Sequence, residues 1–469
     1  MTDQKVLNSY LPDERPSLGK LLLYALQQVI VMFPATVAVA LITGFQVSTT
    51  IFASGLATVC FILITGRKIP MYYGSSFAYL TAIASMIAAE GTAEQLAAFN
   101  ATRILPPELI SSAQFGIIFS GLVSIVAGLL VRWGGKEKVE KILPAQVTGP
   151  VAMIIGLTLA ANAMKDAAPQ MLADGSTQSQ LVWVISLVTL VSTVLYSRKL
   201  KGFLGQLPLL LGAATGCLAA VIIYLVDGGN FFRTIPQEAL DASAWKMGDG
   251  AIFALPAFTL PRVSWAAVAA IMPIAIATIP ESTAHIYQLD IYVNDAARKK
   301  GKPHYDIASL LDRNLIGDGI CDMISGAVGG PAGTNYGENI STMAITRVFS
   351  VPVMFAAGIL AMVISCFTPL IKGIYGIPLA VIGGLEIYLF GAIAAQGIAI
   401  MIDKGVSMFD SKNIAVIAVI MTFGLGVTYG FGGNIGFFGL NVPAIAGAAI
   451  LGIVLNFILS IGEKKPSAE

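Results

Sequence analysis

Apolar runs of about 18 or more residues recur along the whole chain, each long enough to cross a hydrocarbon layer roughly 30 Å thick. A water-soluble fold could not bury so many. Hydrophobic residues make up 56% of the 469 and charged ones only 12%, too few to cover an apolar chain with polar surface. The chain therefore reads as an all-α polytopic membrane protein with fourteen transmembrane segments. Seven fill 18–43, 48–66, 74–90, 112–132, 145–163, 180–197 and 203–226. Seven more fill 264–289, 310–328, 334–349, 351–371, 377–402, 412–428 and 441–461. The stretch from Asp227 to Pro261, rich in Gly, Pro and Asp, separates the two sets.

Lys and Arg placement sets the orientation. With the N-terminus inside, cytoplasmic loops carry Arg67 and Lys68, Arg132 to Lys141, Arg198 to Lys201, Arg298 to Lys302, Lys404, Lys412, Lys464 and Lys465. Outside loops carry only Arg103, Lys165, Arg233, Lys246, Arg262 and Lys372. Both termini are expected in the cytoplasm of a cell inner or plasma membrane protein. No cleavable signal is expected before the first segment, because Met1 to Arg15 is polar. Seven is odd, so the second set enters the membrane with opposite topology, as in a 7+7 inverted repeat.

Two glycine-bearing breaks fall at corresponding places in the two halves: Gly74-Ser75-Ser76-Phe77-Ala78 and Gly333-Thr334-Asn335-Tyr336-Gly337-Glu338-Asn339. Unpaired backbone groups cannot face lipid, so a break at membrane depth lines a cavity or is buried in protein. Matched breaks in two halves mark a transporter's binding site.

Ionisable side chains inside membrane segments are costly and usually functional. Glu281 and His285 stand four residues apart, on one face of the eighth segment, which Pro273 and Pro280 kink. Glu338 lies in the second break. Asp312, Arg313, Asp318 and Asp322 dot the ninth segment and read as pairing with one another or facing water, and Arg347 reads as a positive-inside anchor. His304, in a basic loop, reads as solvated surface. Cys60, Cys217, Cys321 and Cys366 lack CxxC spacing and read as small buried hydrophobes.

Two carboxylates with free backbone N–H groups can accept from ring N–H and donate to ring C=O, the alternation that uracil and xanthine present along one planar edge. A simple anion would want Arg or Lys at the break, and none is there. A metal would want more ligands than two carboxylates and one imidazole. No nucleotide-cradling loop is present, so a proton gradient, not ATP, is the expected energy source. No cofactor is expected beyond the proton as coupling ion, and with a net charge of +1 no nucleic-acid partner.

At these motifs the chain resembles the nucleobase–ascorbate transporter family, and within it the bacterial uracil permeases. The resemblance is carried by Leu26-Gln27-Gln28 with Met32-Phe33, by Ile69-Pro70 with Gly74 to Ala78, and by Glu281-Ser282-Thr283-Ala284-His285. It also rests on Thr334 to Ile340 with Met343 to Arg347, and on Ile377-Pro378-Leu379 with Gly383-Gly384. It implies core-domain segments over 18–135 and 264–372, gate-domain segments over 136–263 and 373–462, and short strands in broken segments three and ten. It implies a non-enzymatic secondary transporter importing a nucleobase by proton symport. Glu281 and Glu338 would bind the base, Phe77 and Gly337 would offer backbone N–H groups, and Ser76 and Tyr336 would flank it. Glu281, His285 and Glu338 would couple the proton. Members that take xanthine tend to have Gln where Glu338 stands, so uracil is favoured over xanthine or another purine. A homodimer in lipid is expected from the same resemblance. The chain departs from the pattern at Ser341, where Gly is usual, and at Gln28, where the uracil permeases carry His. Anion exchange or channel activity is the competing class, since related inverted repeats serve anions.

Overall fold

A computed structural model describes residues 9–135, 143–171, 175–236, 244–245, 251–437 and 440–461. Residues 1–8 and 462–469, with Lys136, Lys138, Lys141 and Lys246, lie outside the described residues, so the expectations for the termini and those loops do too.

The first half contains α1 (Leu18–Thr43), α2 (Val47–Ile64), β1 (Tyr73–Ser75), a 3₁₀ turn (Phe77–Tyr79), α3 (Leu80–Glu90), α4 (Ala93–Thr102), α5 (Pro107–Gly134), α6 (Ala145–Thr158), α7 (Ala160–Ala167), α8 (Leu181–Lys199) and α9 (Pro208–Asp227). The two-residue strands β2 (Ala244–Trp245) and β3 (Leu255–Pro256) pair in the connecting stretch. The second half contains α10 (Trp265–Ile271), α11 (Ala275–Lys299), α12 (Leu311–Val328), β4 (Gly333–Asn335), α13 (Gly337–Thr346), α14 (Val351–Ser365), α15 (Thr368–Tyr375), α16 (Leu379–Asp403), α17 (Ser411–Gly430), the hairpin β5 (Asn434–Phe437) and β6 (Leu440–Pro443), and α18 (Ala444–Leu459).

Among the described residues nine helical spans are long and apolar enough to cross a membrane, and Phe77–Glu90, Val351–Ser365 and Ala444–Leu459 are shorter apolar helices. The chain is thus a mostly helical, multi-pass membrane protein. Prolines shape several boundaries. Pro273 sits in a 3₁₀ turn, Met272–Ile274, that joins α10 to α11, and Pro208 occupies the first turn of α9, so that helix starts five residues later than the apolar run. The eighth segment extends past residue 289 to Lys299, because no breaker intervenes before Gly301 in its left-handed conformation (φ +64°). The eleventh segment stops at Ser365, and the residues beyond it form the separate helix α15. Of the four free cysteines only Cys321 is fully buried; the others are half-buried.

Packing sorts the helices into two groups. In one, α12 lies on α5 and α2, and α14 on α2 and α1. In the other, α16 lies on α6, α7 and α8, while α17 lies on α6 and α18. Three crossings are closed by glycine facing glycine. A Cβ on Gly121 of α5 would stand 2.3 Å from the Gly319 carbonyl oxygen of α12, and the reverse distance is also 2.3 Å. Gly55 and Gly358 meet in the same way where α2 crosses α14, and Gly149 and Gly397 where α6 crosses α16. Backbones this close leave no room for any side chain. Gly121→Val should force α5 off α12 and destabilise the protein by about 1–3 kcal/mol or more, as overpacked cores do. Thermal unfolding in detergent measures this, and an unchanged midpoint would contradict the crossing.

Candidate functional site: two crossed strands and a carboxylate-lined cavity

The breaks become β1 and β4, which pair antiparallel in the register Tyr73↔Asn335, Gly74↔Thr334 and Ser75↔Gly333, all six residues buried. Gly74 is required where the strands cross, since a Cβ there would lie 2.4 Å from the Tyr336 ring. Two further bonds extend the ladder, Ser76 N–H to the Ala332 carbonyl at 3.0 Å and Tyr336 N–H to the Tyr72 carbonyl at 2.9 Å. Each strand runs directly into a helix. Ser76 caps the turn at Phe77 by accepting from the Ala78 N–H at 3.2 Å, and Tyr336 precedes α13. The first N–H groups of a helix have no partner within it, so Phe77 and Gly337 present free donors at the positive ends of their helices.

Buried carboxylates fix the crossing from behind. Asp322 accepts from the Tyr73 hydroxyl and from the Gly333 N–H, the latter at 2.8 Å. Asp318 accepts from the Ser282 hydroxyl and from Asn335 Nδ2 at 2.9 Å, and Asn314 joins the same network through Ser282 Oγ (2.7 Å) and Asn335 Nδ2 (3.1 Å). The reading of Asp318 and Asp322 as mutually paired or solvated is therefore corrected, whereas Arg313 is exposed, as that reading allowed. Asp318 and Asp322 serve the strands, and Asp312 pairs with Arg132 at 2.8 Å. Arg347 ends α13 in a left-handed conformation (φ 57°) and lies 3.7 Å from Asp295.

In front of the crossing is a cavity of about 280 Å³, bordered by Ser75, Ser76, Phe77, Glu281, His285, Tyr336, Gly337 and Glu338. Every site residue expected from the sequence lines it. Glu338, in the first turn of α13, is exposed and borders this cavity. Glu281, from α11, lines the same cavity. His285 abuts the second break, since a Cβ on Gly337 would stand 2.8 Å from its Nε2, while its buried Nδ1 has no hydrogen-bond partner among the described residues. The Tyr336 hydroxyl is already engaged, donating to the Ser75 carbonyl (2.9 Å) and sharing a bond with Thr36 (2.9 Å). Tyr336 thus braces the cavity wall, with no hydroxyl proton left to offer a ligand. Gln28 turns away from the cavity, where both its backbone and side-chain oxygens accept from Asn339 Nδ2, at 2.9 and 2.8 Å. Among the described residues no cluster of three or more His, Cys, Asp or Glu is placed to hold a metal.

The opposite wall, from α6 and α16, consists of Ala152, Ile155, Ile393, Gln396 and Ile400, none of them anticipated from sequence. Ile400 also borders a larger vestibule of about 780 Å³ between α11 and the starts of α6 and α17, which includes Gln146, Tyr287, Asp403 and Lys412. One more residue escaped the search for intramembrane charge. Glu386, in α16, is 2% exposed. The rarity rule that singled out Glu281 applies equally to it.

The chain matches the Permease family (Xan_ur_permease) over residues 19–433. It is 34% identical over 458 residues to a uracil permease of Bacillus caldolyticus, covering 95% of this chain and 93% of that one. It is 33% identical over 450 residues to the putative pyrimidine permease RutG of Escherichia coli (strain K12), covering 96% and 91%. In fold it is similar to the transmembrane domain of the cyanobacterium bicarbonate transporter BicA, with a TM-score of 0.54 at 15% identity over 95% of this chain and 97% of that one. It is also similar to the murine anion transporter Slc26a9 in its inward-facing state, with a TM-score of 0.61 at 12% identity over 96% and 69%.

Proposed function

This chain belongs to the Permease family of membrane transporters, and we propose that within it the protein imports a nucleobase, uracil foremost, together with a proton. One observation carries the substrate: two carboxylates and two free helix-start N–H groups converge on a cavity of about 280 Å³, small for a ligand pocket. A planar ring with alternating N–H and C=O groups satisfies both kinds of partner. The names of the uracil and pyrimidine permeases above agree with this. Two glutamates and no Lys or Arg line the cavity, which argues against an anion as its cargo.

Movement follows from the two helix groups. In this reading the strand crossing and α1–α5 with α10–α14 are a core, and α6–α9 with α16–α18 are a gate. The glycine crossings support the fourteen-segment 7+7 repeat. Exchanging the halves turns the α2–α14 contact into the α5–α12 contact and returns α6–α16 and β1–β4 to themselves. Alternating access then displaces core against gate, carrying the cavity from one membrane face to the other. The vestibule lies on the face that the Lys and Arg bias assigns to the cytoplasm, with Lys404 and Lys412 at its rim. Glu281, beside Glu338 and His285, takes the proton when substrate loads from outside and releases it inside.

Labelled uracil uptake into proteoliposomes tests this. An inward proton gradient is expected to raise initial uptake several-fold, and excess unlabelled xanthine to compete weakly. Uptake indifferent to the gradient would remove the proton from the mechanism. Equal competition by xanthine would make the substrate a broader class, and a steady ionic current without nucleobase would favour an anion pathway.

A further inference from the structure

The residues that close the face opposite the vestibule lie outside the site described so far. Arg103 follows α4 in a left-handed conformation (φ 56°) and forms an ion pair with Asp166 of α7 at 2.5 Å. The carboxylate is almost fully enclosed, its side chain 7% exposed. One turn before Glu386 in α16, Gly383 packs on the backbone of Asp166, where a Cβ would stand 2.5 Å from its carbonyl carbon; Glu386 itself is buried, and its Oε2 has no hydrogen-bond partner among the described residues. A second guanidinium completes the cluster. Arg233 donates to the Thr102 carbonyl at 2.6 Å, its buried Nη1 has no hydrogen-bond partner among the described residues, and its backbone N–H bonds the Gly376 carbonyl at 3.1 Å. Two guanidinium and two carboxyl side chains thus gather at one junction of the fold. Lys165, exposed, borders the same recess as Arg103 and Asp166.

Burying charge is unfavourable unless partners compensate it, and such clusters in membrane proteins mark function more often than stability. The geography here is specific. From Glu386 to Asp403 is 17 residues of α16, about 25 Å of helix, so the cluster and the vestibule lie at opposite ends of one membrane-spanning element. A separate recess of about 590 Å³, bordered by Asn100, Arg103, Asn162 and Asp166, opens at the cluster's end. Arg103 and Thr102 belong to the core, whereas Asp166 and Glu386 belong to the gate. Arg103 to Asp166 therefore bridges the two groups, and so does Arg233 to Thr102, since the adjoining Phe231 and Phe232 pack on the gate residues Val182, Ala220 and Val381.

We propose that Arg103, Asp166, Arg233 and Glu386 form a charge latch that holds core and gate together on the face opposite the vestibule. The latch must part before the site cavity can open on that face. These are positioning residues that act on the movement and touch no substrate. The inference rests on the core-and-gate reading above, but its test uses no nucleobase, so its failure and a failure of the substrate assignment are distinguishable.

The full chain carrying Ala152→Cys, a reporter on the cavity's gate wall, is expressed in intact cells and treated from outside with a membrane-impermeant thiol reagent. The same chain without the reporter corrects for the native cysteines. Adding Arg103→Gln is expected to raise the labelling rate roughly tenfold, a population shift of about 1.4 kcal/mol. Arg103→Lys, which keeps the charge, should stay near the parental rate. A residue that merely stabilised the fold would lower the thermal midpoint without raising labelling. Should Arg103→Gln not reach the membrane, Asp166→Asn carries the same expectation with less change of shape. A folded Gln or Asn variant labelling at the parental rate overturns the latch.

Discussion

Replacing Glu338 by alanine is expected to lower uracil uptake by about a hundredfold. A hydrogen bond to a charged group contributes roughly 1.5–3 kcal/mol, and 1.4 kcal/mol is tenfold in an equilibrium constant. The geometry puts Glu338 near the upper end of that range. Its carboxylate stands in the first turn of α13 and faces the cavity beside the Gly337 N–H. Donor and acceptor are thus presented side by side to one edge of a flat ring, and removing the acceptor leaves a ring N–H without its partner. The α13 start itself should survive, because Tyr336, Gln28 and Asn339 hold it through bonds that do not involve Glu338. Glu338→Gln separates charge from shape. The amide accepts at one atom and donates at the other, so uracil uptake should still fall, and competition by xanthine should rise relative to uracil. Initial uptake rates and competition profiles in proteoliposomes measure both effects. Parental uptake by the alanine variant would take Glu338 out of the binding site.

How much of this site could be read in advance depended on whether a residue was unusual for its surroundings. Glu281 and Glu338 stood out because carboxylates are rare in apolar segments, and Gly74, Gly333 and Gly337 because glycine punctuates a helix. All of them border the cavity or build the strands beside it. The gate wall was illegible for the opposite reason. Ala152, Ile155, Ile393 and Ile400 are as suitable for lipid as for a cavity, and no local pattern tells the two apart. Asp318 and Asp322 were visible as charges but not as braces, since their partners Asn335, Tyr73 and Gly333 come from two other segments. The apolar spans and the breaks were legible from length and apolarity. The ends of α9, α11 and α14 were not, because Pro208, the charged extension to Lys299 and the stop at Ser365 depend on local turn chemistry.

The same braces carry the other large effect expected of a single substitution. Asp322→Ala leaves the Tyr73 hydroxyl and the Gly333 N–H without their acceptor, both inside the protein. Stranding a buried donor costs roughly 1–3 kcal/mol, so the variant should lose on the order of 2–6 kcal/mol. That is a large share of the roughly 5–15 kcal/mol that holds a typical domain folded. The loss should also reach the site, because Gly333 N–H belongs to β4, and β4 delivers Gly337 and Glu338 to the cavity. Uracil should then stabilise the variant less than it stabilises the parent. Asp322→Asn keeps an acceptor oxygen in nearly the same place and should cost far less. Combining Tyr73→Phe with Asp322→Ala removes one of the stranded donors and should recover part of the loss, a coupling that a double-mutant cycle isolates. Thermal unfolding of the parent, the single variants and the double variant, with and without uracil, decides the matter. If Asp322→Asn proved as damaging as Asp322→Ala, charge would be the role and not acceptance. If Asp322→Ala proved as stable as the parent, the strand crossing would need no brace from α12.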